Sequence, residues 1–126
     1  MADVVTLQLP QERDFRAIAH LVLGGLATRL ELTYDVLDDM QTALDELLER
    51  RELEGEVTLS LCVEGDALAA TVGPFGERVA DELRSSGDAL GLRRVLDTVV
   101  DRCELTERDG AHWIELRKRI RTVSDG

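Results

Sequence analysis

The chain has 126 residues, with 26 Asp or Glu against 15 Lys or Arg and a formal net charge of -11. Hydrophobic residues make up 44% of it, and there are only 10 Gly and 2 Pro, which excludes a disordered or fibrous chain and predicts one globular domain over 1–126. The acidic balance disfavours direct contact with nucleic acid or a membrane surface and admits a basic partner protein, while the want of a bilayer-length apolar run or of a basic, apolar leader predicts a cytoplasmic protein.

Val4 to Leu9 alternates in part and ends at Pro10, which predicts a short strand and a turn. From Glu12 to about Leu30, Phe15, Ile18, Val22 and Leu26 recur at helical spacing, with Leu21, Leu23 and Leu30 widening the stripe. Gly24 and Gly25 interrupt this helix at roughly 1 kcal/mol each relative to Ala, which predicts either a close backbone approach or a kink. Thr33 is suited to cap a second helix, Asp35 to its first turn, and Val36, Leu37, Met40, Ala43, Leu44, Leu47 and Leu48 trace one apolar face.

That helix ends by Gly55. VTLSLCV and ALAATV, joined by Glu64-Gly65-Asp66, then predict a hairpin with Val57, Leu59, Leu61 and Val63 facing the core. Gly73, Pro74 and Gly76 are expected to break its second strand, leaving Glu77 to Asp88 as a polar loop with a short helical piece around Val79 to Leu83. Leu92, Val95, Leu96, Val99, Val100 and Cys103 predict a third helix over roughly Leu90 to Arg102. Two strands follow, Glu104 to Arg108 and Ala111 to Arg121, about an Asp109-Gly110 turn. The expected fold class is α+β: a two-layer sandwich with helices on one face of a mixed, mostly antiparallel sheet.

Cys62 and Cys103 lack metal or redox spacing and are expected as buried free thiols. His20 and His112 have no companions at metal or triad spacing, so neither is expected to be catalytic.

The run HLVLGGLATRLELTYDVLDDMQTALDEL, His20 to Leu47, followed by GEVTLSLCVEGDALAATV from Gly55, closely resembles the anti-sigma factor serine-protein kinases. Their domain has the Bergerat, or histidine-kinase-like, ATP-binding fold. The resemblance extends from about Val5 to Ile120 with one loop shortened, and the expected element order agrees with it.

The resemblance implies a catalytic Glu at Glu46 and, four residues later on the same helical face, a magnesium-binding Asn. Here that position is Arg50, which cannot bind a cation. Arg50 reads either as the partner of Glu46 in a surface ion pair or as a fixed positive charge where the metal would sit. Relatives anchor adenine through an Asp two residues before a Gly; this chain keeps Gly76 but has Pro74 at the Asp position, with neither carboxylate nor N–H. The phosphate-holding glycine motif is represented by SGDALGLRR, which retains Gly87 and Gly91 but fits the family helix only with a one-residue misalignment. Arg93 and Arg94 beside it suit either phosphate or solvent.

The resemblance therefore implies a degenerate ATP site formed by Arg50, Gly76, Gly87 and Gly91, with ATP binding weak or lost and no magnesium site. It implies a regulator that binds a sigma factor, a STAS-type anti-anti-sigma protein, or both. Arg16 and His20 on the first helix stand where relatives contact the sigma factor, and a homodimer is in keeping with the family. The alternative is an active ATP-dependent serine kinase that phosphorylates an anti-anti-sigma protein, with Glu46 as the base.

Overall fold

The computed structural model describes residues 4–9, 15–50, 55–84 and 91–120. The elements in order are β1 (Val4–Leu9), α1 (Phe15–Arg29), α2 (Tyr34–Glu49), β2 (Val57–Glu64), β3 (Ala67–Phe75), α3 (Glu77–Arg84), α4 (Leu92–Val99), β4 (Arg102–Arg108) and β5 (Ala111–Arg119). The strands form one sheet in the order β1-β2-β3-β5-β4. All four pairings are antiparallel, so the sheet is purely rather than mostly antiparallel.

Strand alternation sets the core. Leu7, Leu59, Val72, Ile114 and Leu105 stand opposite one another across the five strands, and Val5, Leu61, Ala70, Leu116 and Cys103 form the next row. The central members of both rows are fully buried, whereas Thr58, Ser60, Glu115 and Arg117 between them are partly exposed on the opposite face. This is the period-two pattern of a sheet covered on one side.

α2 supplies much of the cover. The Thr33 hydroxyl accepts a hydrogen bond from the Val36 amide at its start. Its stripe of Val36, Met40, Ala43, Leu44, Leu47 and Leu48 is buried as the spacing predicts, and each fully buried Leu contributes about 1.5–3 kcal/mol. α2 packs on α1, α4 and β5, and Lys118 of β5 reaches its Asp39 at 2.8 Å.

Four expectations need correction. The buried face of α1 is Ala19, Leu23, Leu26 and Ala27, while Ile18 and Leu21 are exposed; small Ala19 and Ala27 settle onto the core in place of the larger residues. No close approach accounts for Gly24 and Gly25, since a Cβ added at either meets nothing within 4 Å. β3 continues through Gly73 and Pro74 to Phe75, across a cis Gly73–Pro74 bond and a register shift after Val72. The short helical piece expected in the polar stretch beyond it forms as the eight-residue α3, whose Val79, Ala80 and Leu83 are buried. α4 stops at Val99, and Cys103 belongs to β4 because Val100 already has extended dihedrals. The stretches 10–14, 51–54, 85–90 and 121–126 lie outside the described residues.

Both turns read from the sequence form. Gly65 has φ of +60°, and Asp109 and Gly110 have φ of +52° and +81°, the paired positive values of a type I′ turn. Both cysteines are free, but only Cys103 is buried as expected; Cys62 is half-buried, since strand alternation puts it on the face opposite Leu61. Burial, the largest influence, pushes the Cys103 thiol up to about 11.

Gly73 is fixed by contact rather than dihedral. A Cβ there would lie 2.6 Å from Cδ2 and 2.7 Å from Cε3 of Trp113, inside van der Waals contact with a ring that also receives Arg108 at 5.2 Å from its centroid. Gly73→Ala should lower stability by about 1–3 kcal/mol in denaturant unfolding. The same substitution in a Trp113→Ala background should cost clearly less; equal costs would exclude the ring as the cause.

Candidate functional site

The expected nucleotide-site residues come from three helices and the end of β3. Glu46 and Arg50 are one turn apart at the C-terminal end of α2, and Arg50 is its C-cap. The Arg50 Nη1 donates to Glu46 Oε2 at 2.5 Å and to the Glu46 carbonyl at 3.0 Å, while its Nε donates to Glu82 Oε2 of α3 at 3.0 Å. The guanidinium thus closes on its own helix and also ties α2 to α3. Burial alone would lower its pKa, but hydrogen bonds and charges from Glu46 and Glu82 outweigh this and raise it. A guanidinium held between two carboxylates has neither lone pair nor vacancy for a metal ion.

Pro74 and Gly76 flank Phe75 where β3 hands over to α3. Gly76 opens α3 by accepting, through its carbonyl, the Ala80 amide at 3.4 Å. Gly91 is the N-cap of α4, with its carbonyl accepting the Val95 amide at 3.2 Å. α4 packs on both α2 and α3, so the elements carrying Glu46, Arg50, Gly76 and Gly91 are in mutual contact. Gly87 lies outside the described residues. Arg93 is occupied by Asp97 and the Cys103 carbonyl, each at 3.3 Å, and Arg94 is exposed.

A second clasp on α3 was not legible in the sequence. His112, only 4% exposed on β5, places Nε2 2.7 Å from Oε1 of Glu77, the first residue of α3, and its Nδ1 is buried without a hydrogen-bond partner. The contact follows from the register, in which His112 stands opposite Phe75, two residues before Glu77. α3 is therefore held to the sheet through Glu77 and to α2 through Glu82.

The two residues expected at a partner surface stand one turn apart on α1. His20 Nε2 is 2.7 Å from Asp45 Oδ1 of α2 and the side chain is about one-third exposed. Arg16 lies in the first turn of α1, with its side chain outside the described residues. Among the described residues no group of three or more His, Cys, Asp or Glu side chains is placed to hold a metal ion, and no helix is long and apolar enough to cross a membrane.

A five-stranded antiparallel sheet covered on one face by helices defines a two-layer α+β protein. The chain is related to the serine-protein kinases RsbW: it is 29% identical to the Listeria monocytogenes protein of that name over 83 residues, covering 60% of this chain and 53% of that protein. It is 28% identical to the Bacillus subtilis protein over 83 residues, covering 60% and 52%. The chain thus spans about half the length of these curated relatives. A solved structure of the RsbU and RsbW domains of a Mycobacterium tuberculosis protein shares the fold, with a TM-score of 0.71 over 94% of this chain and 32% of that one, at 12% identity. No family model matches the chain.

The clasp at Glu77 carries a pH dependence of known sign. Hydrogen bonding to His112, then the charge of His112, holds the Glu77 carboxyl below its ordinary range. A carboxyl whose pKa falls on folding stabilises the fold above its unfolded pKa and loses that contribution as pH drops through the folded value. Urea unfolding should therefore show Glu77→Gln less stable than the parent at pH 7, with the gap shrinking as pH is taken from about 5 to 3. A gap independent of pH would mean the carboxylate is not the group His112 holds.

Proposed function

We propose that this chain is an anti-sigma-factor-like regulator, binding a sigma factor or a STAS-type anti-anti-sigma protein through surface complementarity, with nucleotide binding weak or lost. The observation that carries this reading is the engagement of Arg50 by Glu46 and Glu82. Phosphoryl transfer depends on metal and phosphate positioning; in this chain the side chain at the metal-ligand position is a cation already neutralised by two carboxylates, one of them the expected base. Pro74 adds the loss of the carboxylate that would anchor adenine. Relatives named serine-protein kinase support the family of partners, and the half-length overlap leaves their activity to be tested here.

Calorimetric titration is the direct test. ATP, with or without magnesium, should bind with a dissociation constant of about 1 mM or weaker, no more than roughly 4 kcal/mol. Micromolar binding that requires magnesium would overturn the reading in favour of an active kinase, and Glu46→Ala should then abolish transfer to a STAS protein while the circular dichroism spectrum stays unchanged.

Partner binding should need no nucleotide. The net charge of -11 suits a partner with a basic nucleic-acid-binding face, so association should slow as salt rises. At the first helix, His20 already pairs with Asp45, and a carboxylate in its place would repel that group; Arg16→Glu with His20→Ala is the cleaner variant. It should weaken the complex by about tenfold, 1.4 kcal/mol, in surface plasmon resonance. Unchanged affinity for both partner classes would remove α1 from the contact.

A further inference from the structure

Among the described residues His112 is the buried member of the polar and charged side chains, and its Nδ1 is the buried side-chain polar atom without a hydrogen-bond partner. It occupies a core position. β5 alternates, and the next residues on the same face, Ile114 and Leu116, are fully buried. Packing alone would favour an aliphatic side chain there, because a buried ring nitrogen without a partner forfeits the bond it made to water. A polar group left in that state calls for a reason.

The surroundings of the ring supply one. His112 stands opposite Phe75 in the pairing of β3 with β5, and directly opposed residues share a face with Cβ atoms about 4.5–5.5 Å apart. Phe75 is fully buried, between Pro74, at the expected adenine-anchor position, and Gly76, whose carbonyl opens α3. The imidazole therefore lies between the end of β3 and the first turn of α3, with Nε2 2.7 Å from Oε1 of Glu77. Arg84 stands 3.6 Å from the other oxygen of that carboxylate. In the tautomer that donates from Nε2 to Glu77, Nδ1 keeps an unused lone pair inside the protein.

We propose that the His112 imidazole is a built-in stand-in for a nucleobase: it fills the place between β3 and α3 that a planar N-heterocycle would take, and Glu77 is the carboxylate that would receive the heterocycle's N–H. The chemistry of the corner fits this class of occupant. Imidazole is the five-membered half of purine, flat and aromatic, with one nitrogen donating and the other accepting. Its N–H goes to a carboxylate, and the resemblance implies the same kind of bond between adenine and an Asp. A ring tethered to β5 acts at an effective concentration set by geometry and not by supply, so a free base must displace it to enter. Two changes thus meet at one corner: Pro74 takes away an acceptor, and His112 takes up the room. This deepens the proposed function and rests on its placing of the base beside Pro74.

Titration of the full chain with imidazole and with adenine, followed by amide NMR shifts, tests it on His112→Ala, which deletes the ring and keeps the strand. Both probes should bind the variant at least tenfold more tightly than the parent, with the amides of 75–80 shifting first. Glu77→Ala in the same background should remove the gain, and His112→Leu, which refills the volume without a ring, should bind adenine no better than the parent. If His112→Ala does not fold alone, imidazole at about 10 mM should restore the parent's circular dichroism spectrum by mass action, and failure to do so counts against the stand-in. Uptake of imidazole without adenine would mean a plain packing cavity and overturn it, as would adenine binding that ignores Glu77 or matches the parent's. Micromolar ATP binding by the parent would instead sink the proposed function, whereas weak parent binding with neither probe taken up by folded His112→Ala overturns the stand-in alone.

Discussion

Burial of one face of α2 against the sheet is the constraint from which the rest of the molecule is organised. Met40, Ala43, Leu44 and Leu47 are fully buried, and with that face fixed the helix has no freedom to rotate. The polar residues between them then fall where periodicity puts them: Asp39 toward Lys118, Asp45 toward His20, and Glu46 with Arg50 toward α3. Each polar contact of α2 thus inherits its geometry from apolar packing, which is worth far more than any partly exposed ion pair.

The helix α3 shows the reverse balance. It is eight residues long and buries only Val79, Ala80 and Leu83, too little cover to hold a short helix without help. Its position is completed by two side chains from other elements, Arg50 on Glu82 and His112 on Glu77. An arginine suits the first task, since one planar group reaches Glu46 and Glu82 through different nitrogens.

These contrasts explain what the sequence made legible. Strongly periodic elements were readable: α2 has its capping Thr33 and six buried apolar positions, and β2 and β5 alternate cleanly. α1 was misread in its facing because it is apolar nearly all round, so spacing alone did not choose between Ile18 with Val22 and Ala19 with Leu23. The ends of β3 and α4 were misread for another reason. Proline usually stops a strand, yet the register shift after Val72 lets Pro74 sit within one; and Cys103 fits both the helical period and the core-facing alternation of β4. Within the candidate site, the Glu46–Arg50 pair follows from i, i+4 spacing, whereas Glu82 and His112 join it only through tertiary placement.

The Arg50 bridge bears on how such a domain could be controlled. A protein whose helices are ordered by a bound nucleotide gains stability of RT ln(1 + [L]/Kd), so its state follows ligand concentration. Here the α2–α3 link is made by an internal cation, present at a fixed stoichiometry whatever the nucleotide level. Under the proposed function, nucleotide then has little differential affinity with which to shift the domain between states, and a ligand without such a difference shifts nothing. Control would pass to competition among protein partners and to salt, both of which act on the charged surface and not on the α2–α3 junction.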